Sequence, residues 1–416
     1  MERKFNIEKF LIELSRVIVG VTFLFSGFVK AIDPLGFTYK IQDYLINLNL
    51  VELFQFALPL AVILVVAEFA LGALLLLGLY RKPVTILVAL MMIFFTPFTF
   101  WVALTNPVED CGCFGDALVI SNWQTFYKNL IIVTGAIVLV IKWKLVTPLF
   151  SKRITPFAAL FVALFGLLFA LHNVYNLPVI DFRPYKKGAN IPEQMYIDPE
   201  KADVMETVFI YSKDGVEEVF TEENYPWNDS TWTFVDMESR LVQEGVKPAI
   251  EDFALGSIYF DETDGSWNIG GDITDLVLSD TSYTFLMVSY SLDEMNVKHL
   301  DKFKKVNRFA VDKGYPFYLL TASSESTVGE WESIHKTGFQ FSHADERALK
   351  TMTRANPGLI LIKEGNVINK WNDSKVPEPT SEILLITNPK RDNVVKLLLI
   401  AFLFFVPLLL LKKIDR

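Results

Sequence analysis

Six stretches of this chain are longer and more apolar than the core of a water-soluble domain requires: residues 10–29, 53–79, 84–104, 126–141, 154–177 and 394–411. A helix crosses a bilayer with about 20 mostly apolar residues, because the hydrocarbon layer is ~30 Å thick. No water reaches that layer to satisfy peptide N–H and C=O groups, so each stretch has to be helical. Hydrophobic residues make up 51% of the 416 positions and mean hydropathy is +0.33, which argues against a soluble globular chain. The expected core is a membrane helical bundle with six crossings. The fourth stretch is short and the second long, so tilt or shifted boundaries are expected.

Lys and Arg collect in short loops on the cytoplasmic side of a membrane protein. Here they alternate along the chain: Arg3, Lys4 and Lys9, then Arg81 and Lys82, then Lys142, Lys144, Lys152 and Arg153, and finally Lys412, Lys413 and Arg416. This predicts a multi-pass protein of a bacterial inner membrane with both termini cytoplasmic. The loop over residues 30–51, the cysteine loop and the large segment 179–393 would then be periplasmic. The first stretch contains Arg16 and leads into further spans without a small-residue cleavage site, so it reads as retained rather than as a secretory signal. The net charge of −9 resides mostly in the large external segment, and nucleic acid is excluded as a partner.

The only two cysteines sit in Asp110-Cys111-Gly112-Cys113-Phe114-Gly115-Asp116, between the third and fourth apolar stretches. Two cysteines one residue apart can close a small, strained disulfide, and strained exposed disulfides exchange readily. On the topology above they face an oxidising compartment. Reversible dithiol–disulfide exchange is one reading and a stable structural link the other. Metal binding is weaker than either: structural zinc wants about four ligands, and His172, His299, His335 and His343 are remote in sequence. Glu109, Asp110 and Asp116 should disfavour a thiolate. With no third thiol there is no internal relay, so electrons must pass to an external dithiol protein or to a membrane quinone.

Glu68 lies inside the second stretch and Arg16 inside the first, where an ionisable group is costly unless paired or facing a cavity. The two are expected to meet, either as a packing pair or in a proton or quinone role. Pro97 should loosen the third helix. Phe94, Phe95, Phe98, Phe100 and Trp101 beside it read either as a quinone pocket or as interfacial anchors. Phe37, Ile41, Tyr44, Leu45 and Leu48 recur at helical spacing, which fits an amphipathic surface helix or an ordinary connecting helix packed on the bundle. Ser121 and Gln124 have capping-box spacing and mark the start of the fourth span.

From Asp181 the chain turns polar, and it must fold there as a separate unit. Residues 207–211 and 218–220 flank Lys213-Asp214-Gly215 as a hairpin would, and 231–236 reads as a third strand. Farther on, strands over 284–289, 316–321, 358–363 and 367–371 alternate with helices over 294–313 and 328–336, which predicts an α/β sheet.

Two resemblances follow from these residues. Residues 11–141, with Ser26-Gly27, Lys30, Asp33-Pro34, Arg16, Glu68 and the Cys-Gly-Cys-Phe-Gly string, resemble the DoxX and MauE group of membrane proteins, MauE in particular. That resemblance implies a four-helix membrane domain, an association with methylamine utilisation, and disulfide handling in the periplasm beside a thioredoxin-like partner. Residues 248–371 are similar to the thioredoxin fold. Arg354-Ala355-Asn356-Pro357-Gly358 looks like its cis-proline strand, followed by a hairpin around Glu364-Gly365-Asn366. Where redox members carry Cys-x-x-Cys, this chain has Tyr290-Ser291-Leu292-Asp293-Glu294, so the domain cannot itself exchange disulfides.

The expected organisation is a DoxX/MauE-like four-helix membrane domain over 1–145, a fifth membrane helix within 146–178, and a β-rich segment over 179–247. A cysteine-free thioredoxin-like domain over 248–380 and a sixth membrane helix over 392–411 complete it. The expected function is extracytoplasmic thiol–disulfide redox or electron transfer, with Cys111 and Cys113 as the redox pair and Glu68 and Arg16 as intramembrane charges. Membrane lipid and an extracytoplasmic dithiol protein are the expected partners. The alternative is a non-enzymatic scaffold whose cysteine-free domain binds a client. Methylamine is not expected as a substrate. Phosphate loops, serine elbows and metalloprotease motifs are missing from the sequence, which argues against nucleotide hydrolysis and proteolysis.

Overall fold

A computed structural model of the chain describes residues 7–243, 245–251, 253–263, 265–384 and 389–415. Arg3, Lys4 and Arg416, used in the topology argument, lie outside the described residues. All six expected crossings are helices: α1 (Ile7–Ile32), α3 (Ala57–Leu77), α4 (Arg81–Thr105), α5 (Asn122–Ile141), α6 (Thr155–Tyr175) and α12 (Pro389–Ile414). Each is long and apolar enough to cross a membrane, so the chain is a multi-pass membrane protein. The fourth crossing is not short. Its helix begins at Asn122 because Ser121 Oγ accepts from Gln124 N–H at 3.2 Å while Gln124 Oε1 accepts from Ser121 N–H at 3.0 Å, closing the capping box. Helix α4 runs on through Pro97 without a break.

The bundle is organised around the crossing of α1 and α3. A Cβ on Gly27 would lie 2.3 Å from Phe69 N, and one on Gly72 would lie 2.3 Å from Leu24 N, so two glycines let these backbones touch. Helix α6 and helix α12 pack behind α3 through Ala158, Val162, Phe404 and Leu408 against Phe69. The outward faces are apolar, with Ile63, Phe94 and Leu168 exposed, as a lipid-facing surface requires. Between α1 and α3 the chain forms α2 (Pro34–Asn47), started by Asp33, whose Oδ1 accepts from Gly36 N–H at 3.0 Å. Phe37, Ile41, Tyr44 and Leu45 face a cavity in the bundle, which corresponds to the packed connecting helix rather than a free surface helix.

After a short α7 (Ile191–Met195), β1 (Val204–Lys213), β2 (Val216–Thr221) and β3 (Thr233–Gln243) form a three-stranded antiparallel sheet in the order β2-β1-β3. The predicted hairpin turns at Asp214-Gly215, both with positive φ. A seven-stranded sheet follows, built from β4 (Gly256–Asp261), β5 (Ser266–Asp272), β6 (Tyr283–Val288), β7 (Phe317–Thr321), β8 (Gln340–His343), β9 (Gly358–Lys363) and β10 (Asn366–Asn372), in the order β10-β9-β6-β7-β8-β4-β5. Strands β6, β7 and β8 run parallel, and β9 pairs antiparallel with both β6 and β10.

Phe285 and Met287 of β6 enter one core with α9 (Leu300–Lys313) and α10 (Glu325–His335). Leu286 and Val288 enter the other, with Tyr185, Ile191, α8 (Thr274–Leu278) and α11 (Glu346–Met352). A strand buried on both faces reads as the unbroken apolar run seen here. Helix α9 starts six residues later than expected, at Leu300 rather than 294. Upstream of it the Asn296 side chain accepts from Lys298 N–H at 3.2 Å and holds a 3₁₀ turn instead.

Candidate functional site

Cys111 and Cys113 are free thiols, with their Sγ atoms 2.9 Å apart. Gly112 between them has φ +69, a left-handed conformation that bends the chain so that both side chains fall on one side. Asp110 Oδ1 accepts from Gly112 N–H at 2.8 Å and fixes the turn. Ser26 Oγ of α1 donates to Cys113 O at 2.8 Å, anchoring the loop to the bundle.

The two thiols are unequal. The Cys111 thiol hydrogen-bonds the Cys113 sulfur, and with Lys128 and Lys30 nearby this lowers Cys113 to about 6, against the opposing effect of burial. Cys111 is pushed well above its ordinary value by that same bond to Cys113 and by burial. The acidic neighbours do not decide the matter as the sequence suggested, because they are partnered. Asp110 pairs with Lys40 at 2.8 Å, Glu109 with Lys247 at 3.2 Å and Arg347 at 3.3 Å, and Asp116 lies 3.6 Å from Arg354.

Below the loop, Lys30 Nζ lies 2.9 Å from both carboxylate oxygens of Glu68, and Ser26 Oγ lies 2.7 Å from Glu68 Oε2, so its one hydrogen is shared between that oxygen and Cys113 O. The expected meeting of Arg16 and Glu68 is thereby corrected. Arg16 pairs instead with Glu13 at 2.7 Å and donates to Thr147 O at 2.9 Å. The reason is depth: at ~1.5 Å per residue Arg16 sits about 21 Å along α1 from Lys30, beyond the reach of a side chain. Lys30 closes the first apolar stretch and looked like a loop residue. It is buried because Gly27 and Gly72 draw α3 onto α1.

Two cavities meet at the cysteine loop. One, of about 220 Å³, lies within the bundle and is lined by Phe94, Phe95 and Phe98 as well as by Cys111, Cys113 and Lys30. The other, of about 540 Å³, is polar and lies between the bundle and the α/β region, reaching Asp33, Lys40, Asp110, Gly112 and Arg354. Contacts that hold the α/β region over the loop include Arg354 to Asp33 at 2.8 Å, Arg347 to Glu109, and Lys350 above the Tyr39 ring at 4.9 Å. Asn356-Pro357 is a cis bond, and Asn356 Oδ1 accepts from Ser289 Oγ at 2.6 Å.

Residues 8–142 match the family model of methylamine utilisation protein MauE. Residues 205–244 match a domain of unknown function, DUF8463, which coincides with the three-stranded sheet. No curated protein and no solved structure matches the chain. The chain is thus a multi-pass membrane protein whose residues 8–142 are similar to MauE, followed by a C-terminal α/β sheet region.

Proposed function

We propose that this protein is a membrane thiol–disulfide oxidoreductase, in which Cys111 and Cys113 cycle between dithiol and disulfide. The observation that carries the reading is the sulfur pair: two free thiols 2.9 Å apart, one of them acidified, at the junction of a bundle cavity and a polar vestibule. An acidified thiol is the one that attacks or leaves in exchange, and its high-value partner closes the ring. The thiol of the partner attacks at Cys113, the less buried cysteine, to form a mixed disulfide, and Cys111 is the sulfur released. Glu68 orients Lys30 beneath the pair. Arg16, at the far end of α1, takes no part in the exchange and ties α1 to the α5–α6 connection.

The α/β region is a thioredoxin-like domain on this reading. Support comes from the parallel β6-α9-β7 unit, the antiparallel β9-β10 hairpin beside β6, and the cis Asn356-Pro357 bond at the start of β9. The distribution of Lys and Arg supports a bacterial inner-membrane location with the cysteine loop and this domain in the periplasm. Lacking cysteines, the domain acts as a docking platform over the loop, and an extracytoplasmic dithiol protein is the exchange partner. Its limits of 248–380, next to the β-rich segment 179–247, belong to the same proposal.

The test is thiol trapping. Growing cells are quenched in acid and alkylated with a mass-tagged maleimide before and after reduction. A mixed redox state that shifts with growth, and a mixed disulfide captured by Cys111→Ser, are expected. A pair always oxidised or always reduced overturns exchange. It leaves the second reading, a scaffold, which the clamp of Arg354 on Asp33 and the cysteine-free domain favour.

A further inference from the structure

We infer that the cavity inside the bundle is a binding site for the ring of a membrane quinone, which takes the electrons of the Cys111–Cys113 dithiol. The inference rests on the exchange reading and supplies its electron acceptor. The cavity is divided in character. Met91, Met92, Phe94, Phe95 and Phe98 of α4 make one side apolar, whereas Cys111, Cys113, Lys128, Asn129 and the Lys30–Glu68 pair supply the polar groups. An acyl chain has no use for two thiols and two ammonium groups, but a ring with oxygens at opposite edges does. At about 220 Å³ it is smaller than the ~300 Å³ at which pockets for drug-sized ligands begin, so it suits one substituted ring. Phe94, 66% exposed on the outer face of α4, marks the side where an isoprenoid tail leaves for lipid.

The chemistry balances with these groups and one proton from water. Starting from the Cys113 thiolate and the Cys111 thiol, one S–H bond breaks and one S–S bond forms, which releases two electrons and one proton. The ring takes both electrons, that proton and a second from water, its two C=O groups become C–OH, and a quinol leaves. The disulfide then returns to dithiol by oxidising the partner protein. As negative charge moves from the Cys113 sulfur to a ring oxygen, Lys30 and Lys128 face it throughout, so the same cations that favour the thiolate stabilise the quinolate.

The experiment uses the full chain, reduced, in quinone-free phosphatidylcholine nanodiscs under anaerobic conditions. Decylubiquinone is the probe, because its fully substituted ring leaves no carbon open to thiol addition. Quinol formation is followed by absorbance and the cysteine state by mass tag. About one quinol per chain is expected from the wild type and none from Cys111→Ser/Cys113→Ser. Met92→Trp, which fills the cavity, should raise the half-saturating quinone concentration at least tenfold. If that variant does not fold, crosslinking of the wild type with an azidoquinone decides, with labels expected on α4 and the cysteine loop. Oxidised glutathione serves as a second oxidant. A dithiol that reacts with glutathione disulfide but not with quinone overturns the quinone site and leaves exchange standing. One that reacts with neither sinks both, and labels elsewhere, or quinol formed by the double serine variant, overturn the site.

Discussion

Asp33 and Arg354 lie 321 residues apart in sequence and form a two-pronged ion pair, with Arg354 Nε 3.1 and 2.9 Å from the two carboxylate oxygens and a terminal nitrogen 2.8 Å from Oδ2. The same carboxylate caps α2. One group therefore seats the α/β region and sets the helix that roofs the cysteine loop.

Arg354→Ala leaves the part-buried Asp33 carboxylate without its main partner. Breaking a fully buried pair from one side costs about 3–5 kcal/mol, and a part-buried one costs less. Hydrogen exchange should speed up both in α2 and in α11, where a purely local contact would loosen only one. Unchanged protection in α2 would refute the clamp.

The clamp also sets a pH dependence. Burial opposes the charge on Asp33, but Arg354 outweighs it and holds the carboxyl below its ordinary value. A carboxyl lowered by folding gives stability that is present above its unfolded value of about 4 and is lost as pH falls through the lower folded value. Docking should thus hold from neutral pH down to about 4 and fail below, as read by proteolysis between Asn176 and Arg183. Asp33→Asn should dock more weakly and lose the acid transition. An acid transition of the same size in that variant would assign it to other carboxyls.

The thiols make a separate prediction. With Cys113 near 6 and Cys111 far above its ordinary value, iodoacetamide should modify one cysteine, at a rate that rises through about pH 6 and levels off by neutrality. In Cys111→Ala the sulfur of Cys113 loses its donor while burial remains, so the profile should move up toward the ordinary cysteine range near 8.5. Equal modification of both cysteines in the wild type would show that the two are not differentiated.

The membrane helices were legible because hydrophobicity over 20 residues is a strong signal, and the Ser121–Gln124 cap because its spacing is local. Strand β8, four residues long, and the β4–β5 hairpin were not, since neither carries a long apolar run. The candidate site was half legible. Two cysteines in one loop stand out in any sequence, but the cation for Glu68 depends on helix depth. Arg16 and Lys30 are equal candidates by composition, and only the glycine-mediated contact of α1 with α3 selects Lys30. The partners of Asp110, Glu109 and Asp116 come from α2 and from the α/β region, so the electrostatics of the thiols could not be read from their neighbours in sequence.

Lys30 and Glu68 should be interdependent. Glu68→Gln strands a buried ammonium, and Lys30→Met strands a buried carboxylate. Each is expected to cost about 3–5 kcal/mol, whereas an apolar pair of similar volume is often neutral. Lys30→Met/Glu68→Met should then melt closer to the wild type than either single variant, as measured by thermal unfolding in detergent. Additive losses in the double variant would mean that the two charges act separately.

The crossing beneath that pair gives the sharpest structural test. Gly27 and Gly72 each leave space for no side chain, since a Cβ would come within 2.3 Å of the facing backbone. A main-chain neighbour cannot turn aside as a flexible side chain can, so Gly27→Val must push α1 and α3 apart. Separation would draw Ser26 and Lys30 away from Glu68 and release Cys113 O from Ser26, because all of these contacts cross the same interface. Gly135, whose nearest neighbour is the Val19 side chain at 2.9 Å, is the control. Gly135→Ala meets a side-chain methyl that can shift and should be tolerated within about 1 kcal/mol. Gly27→Val is expected to lose the monodisperse wild-type peak on size exclusion or, if it assembles, to show Cys113 alkylation displaced toward higher pH. A Gly27→Val protein with wild-type melting and an unchanged alkylation profile would mean that the close approach of α1 and α3 is not what builds the site.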